Sequence, residues 1–435
     1  MVKSLFFFVG FIFIVATNSV SAQSLGRVGS MTDTVTNCTA GTVLMGGGSD
    51  VDAAFTWMIN KSGGGDFVVI RATGTNAYNS YILGLGPAHS VETFLVNSVA
   101  LANDSSIVQA IRKAEAVFFA GGNQNDYISY YKGTALGNTL DFLANVKHAP
   151  IGGTSAGMAI QGYVYYDGVT NVLSTDVLPD PYQSGTGIHY NDFLHNPFLK
   201  KTICDTHFIT KGGTTSNGIT GRQGRLMTFL SRMIKDSSMT DVKGIACEEK
   251  TAICINENGL GMVVGFGKAY FLRQWCAAPE TCVVGQPLTW TNGVKLYSIT
   301  GPGTYTDPPT SSKSVNLNDW TTVAGGNYEY WTVTNGTLTV GQQTGTPVIC
   351  NPSSVSTIIE DNAINIYPNP TSGLFTIALS DDFATITITD LLGQPLRKIQ
   401  ISQKTTTIQL ETNGVYIVNI TTKQGTTARK LIVNR

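Results

Sequence analysis

The chain has 435 residues, of which only 13% are charged, and its formal net charge is −1. This balance excludes the electrostatic attraction to nucleic acids or anionic membrane surfaces that a basic chain would have. The length predicts two or three domains. Seven cysteines are too few for a disulfide-built scaffold, so an ordinary hydrophobic core is expected.

The N-terminus has the pattern of a secretory signal peptide. Lys3 precedes an apolar run at residues 5–16, and residues 20–22 are the small residues of a cleavage site. Residues 1–22 are therefore predicted to be removed on export. The apolar run is too short to span a bilayer, and no other segment is apolar for long enough to do so.

Export would permit disulfide bonds. Cys276 and Cys282 bracket a short loop, and Cys247 and Cys254 could face each other near a turn. The odd number of cysteines leaves at least one thiol without an intramolecular partner, and the connectivity stays open.

The next hundred residues alternate between apolar runs and helical stretches. Asp50 or Asp52 can cap the first helix. Continuous apolar strands separated by helices are typical of a parallel sheet covered on both faces, which predicts an α/β fold with its ligand site where strands run into loops. The predicted strands are residues 41–45, 66–70, 94–96 and 116–120, and the predicted helices are residues 53–60 and 107–114.

A G-x-S-x-G motif surrounds Ser155. It follows an apolar run at residues 145–151, predicted as a buried strand, and leads into residues 159–161, predicted as the first turn of a helix. The motif matches a nucleophile elbow, in which glycines relieve crowding and the serine hydroxyl is exposed at a strand end beside backbone N–H groups. The alternative is a glycine-rich turn with no chemistry.

A second glycine-rich turn, residues 121–124, ends the preceding predicted strand. Turns at neighbouring strand ends can each place one N–H beside the same carbonyl oxygen. An oxyanion hole is therefore predicted from the N–H of Ala156 and that of Gly121 or Gly122. The turn could also be structural only, an alternative that is weaker for the polar side chain of Gln124.

A nucleophilic serine needs a base, and the chain has five histidines. His207 is favoured because it follows a predicted strand at residues 202–204. A third group must orient the imidazole, and a predicted hairpin at residues 244–253 carries Glu248 and Glu249. Both carboxylates remain open as candidates, and the pair could also be solvated surface charge. The histidines predicted to be solvated or structural are His89, His148, His189 and His195.

Five motifs in this order, GGNQ, GTSAGM, DTHF, GRQGRL and GIACEEKTA, resemble those of the cyanophycinase family of serine peptidases, which is related to the aspartyl dipeptidase peptidase E. The resemblance covers roughly residues 40–340. It implies a three-layer α/β sandwich with a mostly parallel sheet, similar to class I glutamine amidotransferases. It also implies that Ser155 is the nucleophile, His207 the base and Glu249 the third triad member.

The same resemblance places Gln124 and Arg225 at substrate-binding positions. It implies hydrolysis of cyanophycin, a polyaspartate with arginine on each β-carboxyl, to β-Asp-Arg dipeptides. The alternatives are an aspartyl or isoaspartyl dipeptidase and a catalytically silent surface binding protein. No metal or organic cofactor is implied, because no His, Cys and Asp cluster has ligand spacing. A homodimer is left open.

The charges near the base suggest what the site selects. Arg222 and Arg225 could bind a substrate carboxylate bidentately, and Asp205 could meet a cationic substrate group. Both arginines could instead be solvated charges on a helix face. Thr206 stands where the family usually has glutamine, and residues 211–218 form a Gly/Thr-rich insertion, so the exact substrate stays open.

The composition changes towards the C-terminus. A catalytic domain at residues 23–343 is followed by a Pro/Ser/Thr-rich linker at residues 344–361 and by short alternating strands at residues 362–435, which predict a small all-β sandwich. The motifs IYPNP, DLLG, NGVY and KLIV resemble the C-terminal sorting domain of type IX secretion. This implies a partner in the outer-membrane secretion machinery and a secreted or cell-surface location. The alternative is a carbohydrate-binding or adhesive module.

Overall fold

In a computed structural model the chain divides into two compact units, Met1–Val348 and Ile349–Arg435. The predicted signal peptide, insertion and linker lie outside the described residues. No helix in the described part is both long and apolar enough to cross a bilayer. The structure describes residues 24–209, 221–342, 364–379, 384–390, 394–422 and 425–435.

The first unit contains both strands and helices. Its described strands are β1 (Ser24–Gly29), β2 (Gly41–Met45), β3 (Asp66–Arg71), β4 (Ser90–Leu95), β5 (Ala116–Phe119), β6 (Ile151–Thr154), β7 (Val164–Tyr166), β8 (Ile188–Tyr190), β9 (Thr202–Asp205), β10 (Lys243–Cys247), β11 (Thr251–Asn256), β12 (Leu260–Gly265), β13 (Lys268–Gln274), β14 (Trp290–Thr300), β15 (Ser314–Asn316), β16 (Val323–Ala324), β17 (Asn327–Thr334) and β18 (Thr337–Gln342). Its described helices are α1 (Asp52–Lys61), α2 (Tyr78–Leu83), α3 (Val99–Ala102), α4 (Ser105–Lys113), α5 (Gln124–Tyr131), α6 (Ala135–Phe142), α7 (Ala156–Ala159), α8 (Ser174–Val177) and α9 (Gln223–Ser237), with a π-helical turn at Leu143–Lys147 after α6.

The first sheet has the strand order β1-β4-β3-β5-β6-β2-β11-β12-β15-β16. The strands from β4 to β2 run parallel. Successive side chains of a strand point to opposite faces. Accordingly, Phe67 and Val69 pack with α1 and α2, whereas Val68 and Ile70 pack with α4, α5 and α6. The predicted α/β fold with helices on both faces is confirmed for these strands, and antiparallel strands extend the sheet on both sides.

A second sheet, with the order β18-β17-β14-β13-β10-β9-β7-β8, covers the antiparallel half of the first. Leu44 and Ile253 of the first sheet share one buried cluster with Ile245 and Phe271 of the second. The other face of the second sheet packs on α8 and α9. The second sheet thus takes the place that helices occupy over the parallel strands.

The predicted hairpin at residues 244–253 is wrong. Strand β10 pairs with β9 and β13 in the second sheet, whereas β11 pairs with β2 and β12 in the first. The turn between them therefore passes from one sheet to the other. Local alternation indicates that strands exist, but it does not specify their pairing partners.

Two local predictions near the site also need correction. The stretch predicted as a strand at residues 145–151 includes the end of the π-helical turn, which stops at His148 in a left-handed conformation (φ 59°), and β6 begins only at Ile151. The N-cap of α1 is Val51, with no side-chain capping bond. Asp50 and Asp52 instead accept hydrogen bonds from tyrosine hydroxyls.

The predicted cysteine pairs do not form. Cys276 is disulfide-bonded, but Cys282 is a free thiol, and so are Cys247 and Cys254. Cys247 and Cys254 lie on strands of different sheets, and burial raises the pKa of both thiols.

The second unit contains two small antiparallel sheets, with the orders β19-β20-β23 and β22-β21-β24-β25. Phe375 and Ile377 of one sheet share a buried cluster with Ile386 and Val418 of the other. The predicted all-β character is confirmed. The described strands are β19 (Ile364–Tyr367), β20 (Leu374–Leu379), β21 (Ala384–Thr389), β22 (Pro395–Ile401), β23 (Thr405–Gln409), β24 (Gly414–Thr422) and β25 (Gly425–Val433).

Candidate active site

Ser155 occupies a strained turn between β6 and α7. Its backbone has φ 53° and ψ −117°, a region that non-glycine residues rarely adopt, and its N–H donates to the carbonyl of Met45 (3.0 Å). A Cβ on Gly153 would lie 2.3 Å from the carbonyl oxygen of Gly157, and a Cβ on Gly157 would lie 2.3 Å from that of Phe119. Both glycines of the G-x-S-x-G motif are therefore required by close backbone approach.

His207 and Glu249 continue from the serine in one hydrogen-bonded series. Oγ of Ser155 lies 2.7 Å from Nε2 of His207, and Nδ1 of His207 lies 2.6 Å from Oε1 of Glu249. A carboxylate at Nδ1 favours the tautomer with its proton there, which leaves Nε2 to accept the serine proton. The arrangement has the geometry of a nucleophile, a base and an orienting acid.

The two adjacent glutamates point to different partners. Oε1 of Glu248 accepts from the hydroxyl of Tyr270 (2.8 Å), and its Oε2 accepts from the N–H of Lys268 (2.9 Å). Glu249 alone reaches His207. Burial and the charge of Glu248 raise the pKa of the Tyr270 hydroxyl, so this hydroxyl remains a donor at neutral pH.

Sequence reasoning missed the role of Gly46, Gly47 and Gly48, which follow β2. The carbonyl of Gly46 accepts from the N–H of His207 (2.9 Å). A Cβ on Gly47 would lie 2.4 Å from Cε1 and 2.5 Å from Nε2 of His207, and one on Gly48 would lie 3.0 Å from Cβ of Glu249. The available signal was three consecutive glycines at a strand end beside the serine strand.

A polar cleft of about 140 Å³ opens beside Ser155. Of the predicted oxyanion-hole residues, Gly122 and Ala156 line it. The N–H of Ala156 begins α7, where no intrahelical acceptor is available. Gln124 also lines the cleft, and its side-chain amide donates to the carbonyl of Tyr166. The other lining residues are Asn123, Tyr166, Gly168, Asn171, Thr206, His207, Arg222 and Arg225.

Arg225 and Asp205 bind each other. The guanidinium of Arg225 donates to both carboxylate oxygens of Asp205 and, through Nη1, to the carbonyl of Val172 (3.0 Å). Each of the two charged residues is only 3% exposed. The two charges thus neutralise each other, and the predictions that Arg225 binds a substrate carboxylate and Asp205 a substrate cation stay predictions.

Arg222 is bonded mainly to neutral groups, although its Nη1 also lies 3.9 Å from Oδ1 of Asp205. Its Nη1 donates to the carbonyl and hydroxyl of Thr206 (2.7 and 3.2 Å), and its Nη2 reaches Asn171 only at 3.5 Å. Its buried Nε has no hydrogen-bond partner among the described residues. Burial, followed by the charge of Arg225, lowers the pKa of Arg222 to about 10, so it stays cationic at neutral pH.

None of the other four histidines lines the cleft. His89 contacts Asp66 (2.8 Å), and two more contact aspartates near them. Within the described ranges, no three His, Cys, Asp or Glu side chains are grouped closely enough to bind a metal ion. A larger cavity of about 350 Å³ lies near β1 and α4, and none of the predicted site residues lines it.

Residues 365–434 match the family of secretion system C-terminal sorting domains. The second unit is a sorting domain. Proteins with this domain are exported by type IX secretion to the cell surface or the extracellular space, as the sequence predicts for this chain.

Similar solved structures include a peptidase from an acI-B1 actinobacterium, with 14% identity over 61% of this chain and 96% of that one and a TM-score of 0.38. A protein provisionally assigned as peptidase E from Listeria monocytogenes EGD-e has 16% identity over 53% and 100%, with a TM-score of 0.30. PorZ, a surface component of the type IX secretion system of Porphyromonas gingivalis, has 16% identity over 42% and 30%, with a TM-score of 0.16. These values are too low to transfer an activity. No curated protein sequence matches this chain.

Proposed function

We propose that the first unit is a serine-type peptidase that acts outside the cell after export. The main support is the continuous series of contacts from Ser155 through His207 to Glu249, which begins at a strained turn and opens into a cleft. If Glu249 were a solvated charge or His207 a structural residue, no contact between the imidazole and the hydroxyl of Ser155 would be expected.

In the proposed reaction Oγ of Ser155 attacks the peptide carbonyl while Nε2 of His207 takes its proton. The oxyanion accepts hydrogen bonds from the N–H groups of Ala156 and of Gly122 or Gly121. The imidazolium then protonates the leaving amine, and Glu249 stabilises its charge. A water molecule repeats these steps on the acyl-enzyme and releases the acid.

The cleft favours an anionic acyl group. Arg222 lines the cleft together with Ser155 and stays cationic at neutral pH. We infer an exopeptidase that acts on cyanophycin, as the sequence resemblance suggests, or on aspartyl or isoaspartyl dipeptides.

The test is hydrolysis of a panel by the wild type and by Ser155→Ala. Cyanophycin, β-Asp-Arg, α-Asp-Xaa peptides and neutral dipeptides would be assayed side by side. Loss of the nucleophile is expected to reduce the rate by about 10⁶-fold, with an unchanged circular dichroism spectrum. Wild-type activity no higher than that of Ser155→Ala on any substrate would favour the silent binding protein, and equal turnover of neutral peptides would contradict recognition of a carboxylate.

A further inference from the structure

A second cleft lies on the face of the second sheet that is turned towards the first sheet. Phe271 and Tyr297 line it, and both belong to the buried cluster that the two sheets share. Its volume of about 40 Å³ holds about three water molecules, which is the size of a carboxylate group. None of its lining residues lines the cleft beside Ser155, so it is a separate candidate site.

Two cations that line this cleft, Arg273 and Lys295, lie directly opposite each other on β13 and β14. Like charges in this arrangement destabilise a sheet. Asp241 pairs with Arg273 (2.8 Å) but also with Lys243 (3.2 Å). Burial and the charge of Arg273 lower the pKa of Lys295, and no carboxylate among the described residues offsets them. An anionic group bound between Arg273 and Lys295 would relieve both effects.

Aromatic side chains hold the Lys295 ammonium at the cleft. Its Nζ lies 4.6 Å from the ring centroid of Trp275 and 4.2 Å from that of Tyr328, and both rings line the cleft. Such contacts attract a cation without neutralising its charge. Asp319, whose charge acts on Tyr328, is already bonded to two backbone N–H groups of its own loop. The ammonium is therefore fixed in place and available to an anionic ligand.

Two polar atoms of the same aromatic group have no hydrogen-bond partner among the described residues. They are Nε1 of Trp275 and the hydroxyl of Tyr330, and both atoms are buried. The two rings lie 6.0 Å apart between centroids, and Tyr330 is paired with Lys295 across β17 and β14. Each side chain as a whole is only partly buried, so a tilt of either ring would expose its polar atom. A ligand with hydroxyl groups would supply the missing partners.

We propose that this second cleft binds an acidic sugar whose carboxylate lies between Lys295 and Arg273. The hydroxyl groups of the sugar then face Trp275 and Tyr330. A sugar ring has apolar C–H faces and polar edges, which match aromatic side chains with polar ends. An extended peptide is less favoured, because it would need main-chain partners at a sheet edge, whereas β13 and β14 are inner strands of the second sheet. The inference goes beyond the proposed peptidase function and does not depend on it.

The test is calorimetric titration of the full chain with oligomers of galacturonic acid and of galactose of equal length. We expect the wild type to have a Kd at least about 10-fold lower for the acidic sugar, the effect of one charge-assisted hydrogen bond. Lys295→Gln should bring this ratio close to one, and Lys295→Arg should largely keep it. Lys61→Gln is the matched control and should also keep it, because Lys61 lies over Trp57 (5.5 Å) but pairs with Glu257 and does not line the cleft.

A second measurement follows tryptophan fluorescence. The acidic sugar should change the emission of the wild type, and Trp275→Phe should lose most of that change. A Kd ratio near one for the wild type, or an unchanged ratio in Lys295→Gln, would overturn the site. A glutamate oligomer with the same number of carboxylates that binds as tightly would overturn its assignment to a sugar. Ser155→Ala should bind the acidic sugar like the wild type, so a failure of the peptidase proposal would leave this result unchanged.

Discussion

The Ser155–His207–Glu249 series and the Arg225–Asp205 pair lie near the same cleft but differ in where their hydrogen bonds lead. The first ends at a hydroxyl in the cleft, whereas the second closes on itself. Glu249 and His207 have side chains that are 27% and 12% exposed, and their series ends in a hydroxyl at the cleft. Arg225 and Asp205 are almost fully buried and bind each other bidentately. A charged side chain beside a cleft is therefore a stronger candidate for a catalytic role when its hydrogen bonds lead to a group in the cleft than when an opposite charge neutralises it.

The largest change in rate after loss of the nucleophile is expected at the base and its orienting acid. Glu249→Gln should reduce kcat by about 10⁴-fold, as loss of the orienting carboxylate does in triads of this type, and His207→Ala should be as severe. Glu248→Gln is the matched control because its carboxylate bonds to Tyr270 and Lys268 instead. Steady-state kinetics in which Glu248→Gln is the more damaging change would contradict the assignment of Glu249.

The glycine turn behind the imidazole should have the next largest effect. Gly47→Ala would place a methyl group within 2.5 Å of His207, and a displacement of the base by about 1 Å can cost roughly 100-fold in kcat/KM. Gly133→Ala is the matched control, because Gly133 also has a positive φ of 72° but no atom within 4 Å of its Cβ position. Equal activity of the two variants would show that Gly47 does not position the base.

Substitution of Arg222 should mainly affect substrate binding, whereas substitution of Arg225 should mainly affect the stability of the fold. Arg222→Lys is expected to lower kcat/KM for carboxylate-bearing substrates by about 10-fold, because the planar guanidinium fork is lost. Arg225→Lys should instead lower the free energy of unfolding by about 1–3 kcal/mol with little change in KM. Denaturant titration would measure the free energy of unfolding, and kinetics on the same preparations would measure KM and kcat/KM. A rise in KM for Arg225→Lys but not for Arg222→Lys would show that Arg225, and not Arg222, binds the substrate.

The sorting domain should have the smallest effect on catalysis. A chain that lacks residues 365–434, the matched family segment, is expected to retain its kcat/KM but to remain unexported in the native host. Mass spectrometry of the mature exported protein should find residues 1–22 and most of the chain after about Pro352 missing. A mature chain that still ends at Arg435 would contradict removal of the sorting domain.

The sequence was sufficient for features that depend on local chemistry. The strained turn at Ser155 requires glycines two residues away on either side. This requirement produces the G-x-S-x-G motif, which can be recognised in the sequence. His207 follows a short apolar strand, and its position at the strand end was enough to favour it over the other imidazoles. The alternating strands after residue 364 likewise predicted an all-β unit, and the matched sorting-domain family covers that region.

Features that depend on pairing between distant segments were not predictable in this way. Strands β10 and β11 are separated by only a short turn, yet their hydrogen-bond partners lie in different sheets. Asp205 and Arg225 were each assigned to substrate because sequence gives the charge of a side chain but not its neighbour. Gly47 was missed because its importance comes from an imidazole that lies far along the chain.

The passage of the chain from one sheet to the other at Glu248 and Glu249 has a mechanical consequence. Ser155 follows a strand of the first sheet, His207 follows a strand of the second, and Glu249 lies in the turn that connects the two sheets. The proton-transfer distances are therefore set by how the sheets pack on each other. The hydrogen bond from the N–H of His207 to the carbonyl of Gly46, directly after β2, ties the base to the first sheet and opposes a shear of one sheet over the other. An inhibitor bonded to Ser155 and held by the imidazole would oppose that shear from within the active site.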